Sequence, residues 1–115
     1  MKAPKLVKIL GSRGSWVAKV EGQTLPVLHN SLWSGGDKTY RQTVLPQHRG
    51  GKRWAELLAA LQSSDLVVMQ RDMPPDKDVL GRAGYVGVFR FEGLTINEDD
   101  EFTLIITERY ASPKP

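Results

Sequence analysis

Between Trp33 and Trp54 this 115-residue chain gathers the side chains best suited to hold a planar, anionic ligand. Trp33 and Tyr40 offer aromatic faces, while Lys38, Arg41, Arg49, Lys52 and Arg53, with His48 among them, offer cations. Bases stack on aromatic faces and phosphates are neutralised by Lys and Arg, so the combination suits an extruded or single-stranded nucleotide. Lys52 and Arg53 also open a helical pattern, whose first N–H groups are free to meet a phosphate. Each residue has a plainer alternative. Trp33 lies outside any periodic apolar stripe and either faces a ligand or plugs one end of the core. Tyr40 either stacks on a base or supplies a capping hydroxyl, and the cations either contact phosphate or form a solvated face. Trp, Tyr and Arg also dominate protein hot spots, so a small protein-interaction module, a regulator or inhibitor, is the competing reading.

Other chemistries find less support. His29 and His48 are separated by a glycine-bearing segment and have no acid at a recognisable spacing, which argues against metal ligation or proton transfer. Ser31 lacks a nucleophile-elbow pattern. Glu98, Asp99, Asp100 and Glu101 read as a solvated loop, with a weak divalent site as the remote alternative. Gly84 and Gly87 fall inside a strand pattern and form no Walker or dinucleotide fingerprint; close packing or a bulge is the simpler use. The chain has no cysteine, so a disulfide, a thiolate nucleophile and a Cys-ligated zinc are excluded. Nothing in the sequence requires an enzyme or a cofactor.

The length and a 40% hydrophobic content suit one domain over residues 1–115 with a single core. The net charge of +3 conceals a polarity: residues 1–64 hold ten Lys/Arg against three acids, and residues 65–115 hold six against ten. A basic surface facing a polyanion, with an acidic side turned away, fits that division. Lys2, Lys5 and Lys8 interrupt the first ten residues, and no later apolar run approaches a membrane span, so the expectation is a soluble cytoplasmic protein without a membrane partner.

The elements that must position these residues follow from periodicity. A strand is expected over 5–10, then a hairpin of 16–20 and 24–28 turning at Glu21-Gly22-Gln23. Pro26 places its second arm at an edge or bulge. Residues 31–51 read as a long loop. Trp54, Leu57, Leu58 and Leu61 make one apolar stripe and predict a helix over 51–62. Strands follow at 66–71, about 83–91, and 102–107, with a breaker at 73–78 and a frayed end at 113–115. Tyr85, Gly87, Phe89 and Phe91 alternate with Val86, Val88 and Arg90, giving an aromatic and an aliphatic face. The expected class is α+β: a small, strongly bent, mainly antiparallel sheet or open barrel with one principal helix.

The run Trp33, Thr39-Tyr40-Arg41-Gln42, Gly50-Gly51-Lys52-Arg53-Trp54, Asp65-Leu66-Val67-Val68 and Gly84-Tyr85-Val86-Gly87-Val88 resembles the PUA-like superfamily. In particular it is similar to the EVE-type domains of modification-dependent restriction systems. The resemblance spans about residues 27–91. It departs from the family at Ser64, where glycine is usual, and at Gln42-Thr43, where an acid is. What it implies is a module that holds a modified nucleobase in an aromatic pocket while basic residues support the sugar-phosphate chain of DNA or RNA. By motif position, Trp33 and Tyr40 are the stacking candidates, with Trp54 a third whose place in the helical stripe favours the core.

Overall fold

The computed structural model describes residues 5–11, 15–33, 38–71 and 84–114. The breaker at 73–78, Gly14, Gly35, Gly36, Ala83 and Pro115 lie outside them.

Where local signals are strong, the expected elements form. Helix α1, Lys52–Ser63, buries Trp54, Leu57 and Leu61 together with Ala60, and leaves Leu58 half-buried at the margin of the stripe. The hairpin of β3 (Val17–Val20) and β4 (Gln23–His29) turns at Glu21 and Gly22, whose φ values of 51° and 80° are the paired left-handed residues of a type I′ turn. The first predicted strand divides at Lys8 into β1 (Leu6–Val7) and β2 (Ile9–Gly11). Strand β6 is Leu66–Gln70, β7 is Tyr85–Ile96 and β8 is Glu101–Pro113.

The segment expected to be one long loop contains another strand, β5 (Thr39–Thr43). It pairs antiparallel with β8, with Tyr40 opposite Leu104 and Gln42 opposite Phe102. Its alternation points Tyr40 and Gln42 to one face and Arg41 to the other. The buried face of β5 rests on a tyrosine and a glutamine, which is why no apolar pattern marks it.

The strand order is β1-β8-β7-β6-β4-β3-β2, with β5 also on β8. Most pairs are antiparallel, but β1–β8 and β4–β6 are parallel, so the sheet is mixed. The two ends of the path, β1 and β2, are joined through Lys8 alone, which requires the sheet to curl round on itself without closing by hydrogen bonds. Lys5 reinforces this join. Its Nζ donates to the Tyr110 hydroxyl at 2.6 Å and lies 3.1 Å from Glu21 in the β3–β4 turn; the Tyr110 hydrogen bond first, then Glu21, raise its pKa above the ordinary lysine value.

Two expectations about position are corrected by the topology. Strand β4 is interior, between β3 and β6, although it carries Pro26. Val27 N–H donates to Trp16 O toward β3, so the Pro26 nitrogen faces β6, where the register begins only at Val27. The missing N–H therefore removes no ladder bond. At the other end, residues 113 and 114 are paired, not frayed: Pro113 is opposite Val7, and Lys114 N–H donates to Val7 O at 2.9 Å.

Both faces of the sheet are covered. Val7, Ala18, Val20, Leu25, Leu66, Val68, Val88 and Ala111 form one cluster, drawn from strands near both ends of the path, and fill the concave side. On the other side Leu28, Val67, Met69, Phe89, Phe91 and Leu104 pack with α1 and with Tyr40 of β5, around an aromatic column in which Phe102 stacks with Tyr40 and with Trp54, each at 6.0 Å. The predicted alternation in β7 is broken by an irregularity at Val86: Met69 pairs with Gly87 but Gln70 with Tyr85. Across it the phase reverses, so Tyr85 packs with the aliphatic cluster and Phe89 and Phe91 with the aromatic one. Among the described residues no helix is long and apolar enough to cross a membrane.

Candidate functional site

The parallel pair β4–β6 ends at His29 and Gln70, which are register partners. At these ends a cavity of about 290 Å³ opens. That volume is near the lower limit of the roughly 300–1,000 Å³ usual for small-molecule pockets, and suits one planar ring. Its polar and aromatic walls come from five places: Ser15 and Trp16 before β3, His29 ending β4, Gln42 and Thr43 of β5, His48 in the 3-10 turn Pro46–His48, and Gln70 ending β6. Leu57 of α1 contributes to the apolar lining.

Two features decide what the cavity can hold. Trp16 and His48 meet edge to face, with centroids 5.1 Å apart and planes at 79°. A planar occupant stacked on one ring therefore meets the other nearly at right angles, an arrangement that defines both a plane and an edge. The polar groups are amides, hydroxyls and imidazoles, and none of the described lining residues is acidic. Among the described residues, no three of His, Cys, Asp and Glu gather to hold a metal.

The residues singled out in the sequence divide among several places. Tyr40 is not at a ligand surface: it is 0% exposed, stacked on Phe102, and its hydroxyl accepts the His29 backbone N–H at 2.9 Å and donates to Gln42 Oε1 at 2.7 Å. No face of its ring is open to a base, so it supports the cavity from behind. Trp54, 5% exposed, lies in the aromatic column, as its helical position suggested. Trp33 is half-buried, bridged to Tyr40 and tilted against Phe89 at 5.3 Å. With Lys38, Phe89 and Arg109 it lines a second, more open cleft of about 270 Å³. There the Arg109 guanidinium lies 4.6 Å over the Phe89 ring, and Nη1 donates to Val86 O at 2.8 Å. A side chain at Gly87 would strike that guanidinium, so the glycine serves close packing.

The cations are likewise dispersed. Arg49, Lys52 and Arg53 are exposed and continue directly from His48 into the first turn of α1. Arg53 lies one helical turn from Leu57, which lines the cavity. Arg41 is exposed but points away from the face that carries Gln42, and Lys38 belongs to the second cleft. None of these five forms an ion pair with another described residue. The first turn of α1 has no acidic residue, and its N-cap Gly51 supplies no side-chain hydrogen bond.

Trp16, Gln42 and Gln70 are the site residues that sequence reasoning passed over. Their signals were present but faint: Gln42 is two residues from Tyr40 and so shares its face, and Gln70 is the polar end of an apolar strand. No protein-family model, no curated protein and no solved structure matches the chain.

Proposed function

We propose that the chain is a non-enzymatic nucleic-acid-binding module of PUA-like type that holds a single base in the Trp16–His48 cavity, with Arg49, Lys52 and Arg53 on the adjoining phosphates. The observation that carries the reading is the pairing of a right-angled aromatic corner with two glutamine amides in a cavity sized for one ring. Extruding a base costs a few kcal/mol, and stacking together with hydrogen bonds to its pairing edge offsets that cost. A curled, unclosed sheet with one helix on its flank is compatible with the superfamily reading. The base-holding role passes from Tyr40 to Trp16 and His48, while Trp33 with Lys38 supplies a neighbouring surface for a flanking nucleotide.

The protein-contact reading rests on a different observation. Leu32 and Leu45, 42% and 53% exposed, border the same cavity and give its mouth an apolar rim. Salt dependence separates the two readings. Replacing Arg49, Lys52 or Arg53 by Ala should weaken binding to any oligonucleotide sequence and reduce the slope of log K against log[salt] by about 0.7–0.9 for each phosphate no longer neutralised. The same change at Arg41, which faces away, should alter the slope less. An unaltered slope in all three variants would remove the phosphate assignment, and salt-tolerant association with one protein would favour the alternative.

A further inference from the structure

A phenol hydroxyl has one proton to give, and at Tyr40 it goes to a glutamine. The His29 backbone N–H can only donate, and it occupies a lone pair of the Tyr40 oxygen at 2.9 Å; the proton of Tyr40 goes to Gln42 Oε1 at 2.7 Å. The ring cannot swing away, because it is fully buried and stacked on Phe102. Gln42 therefore has its oxygen turned toward Tyr40, and Nε2 is the polar end it has left to offer the cavity it lines. Gln70, on another wall, has no side-chain hydrogen bond to a described residue, so its amide is able to present either end.

Resting on the base-binding reading above, we infer that Tyr40 is a positioning residue that makes Gln42 a fixed hydrogen-bond donor, and that the cavity consequently selects bases bearing an oxo group over their amino counterparts. An exocyclic oxygen accepts from Nε2. An amino group at the same place sets donor against donor and leaves both unpaired in a partly desolvated site, which is the costly arrangement in polar recognition. Uracil is thus preferred over cytosine, and hypoxanthine over adenine. Gln70 adapts to the rest of the edge and does not discriminate.

The test uses the whole chain and four single-stranded oligonucleotides identical except at one central base: uracil, cytosine, hypoxanthine or adenine. Fluorescence anisotropy should give roughly tenfold tighter binding for the oxo member of each pair. Gln42→Glu keeps an acceptor for Tyr40 but presents a second acceptor to the cavity, so the preference should invert even as the added charge weakens all four. Tyr40→Phe frees the amide to rotate and should bring each ratio close to one while binding persists. Gln42→Leu gives the same flattening without altering Tyr40, should the phenylalanine variant fail to fold. Equal binding of all four bases by the wild type, or an unchanged ratio in Gln42→Glu, would overturn the donor assignment and leave base binding standing. Failure to bind any of the four at low salt would overturn the base reading and this inference with it.

Discussion

Phe102→Ala should lower the unfolding free energy by about 3–5 kcal/mol, the range for removing a buried aromatic ring from a packed core. Phe102 is fully buried and stacks with both Tyr40 and Trp54, so its loss removes the ring packing that ties the buried faces of β5 and α1 together. The expected loss is larger than for Leu58→Ala, since Leu58 is only half-buried at the edge of the helical stripe. Leu57→Ala, on the buried side, should cost about 2–5 kcal/mol and so exceed Leu58→Ala. Urea unfolding of the three variants gives the ranking directly. A Phe102→Ala protein as stable as the wild type would mean that the aromatic column does not hold β5 in place.

The second large effect concerns binding. Trp16→Ala should cost about 1–3 kcal/mol of affinity for a single-stranded oligonucleotide, the usual worth of one base–aromatic stack. Trp16 is only half-buried and packs at the cavity mouth against His48, so the fold should survive its removal. Trp33→Ala serves as the comparison: it opens a space beside Phe89 in the second cleft and should change affinity less while lowering stability. Isothermal titration of the two variants, with urea unfolding alongside, separates a binding loss from a folding loss. If Trp33→Ala were the more damaging of the two to affinity at unchanged stability, the base would belong to the cleft with Arg109.

The parts of this fold that were legible in the sequence are those set by neighbours along the chain. The stripe through Trp54, Leu57 and Leu61 specifies its helix, and Glu21-Gly22 specifies the turn between β3 and β4. What escaped depends on partners distant in sequence. Strand β5 has one apolar residue, and its burial comes from pairing with β8, a tertiary event that no local pattern announces. Pro26 reads as an edge signal, yet β4 is interior because one neighbour takes over just after the proline. The phase change in β7 falls at Val86, between the two glycines that read as close packing or a bulge, but alternation alone does not say that the faces exchange there.

The candidate site was legible in composition but not in location. Aromatic and basic residues near 33–54 pointed toward nucleic acid, and Arg49, Lys52 and Arg53 do lead away from the cavity. Yet the aromatic wall comes from Trp16, in the N-terminal hairpin, and one amide from Gln70, at the end of β6. Only the parallel pairing of β4 with β6 brings these ends together. Tyr40 reads in the sequence as a stacking candidate because a tyrosine in a polar segment suggests an exposed ring, whereas pairing with β8 turns it inward, with its hydroxyl hydrogen-bonded to Gln42.

The central claim is that a base enters the Trp16–His48 cavity, and the most direct test is to follow side-chain NMR signals during titration with a short single-stranded oligonucleotide. The indole N–H of Trp16, the ring protons of His48 and the side-chain amides of Gln42 and Gln70 should shift together and saturate at one ligand per chain, with smaller changes at Trp33. Saturable binding that moves only Trp33, Phe89 and Arg109, and leaves Trp16, His48 and both amides at their free positions, would contradict it.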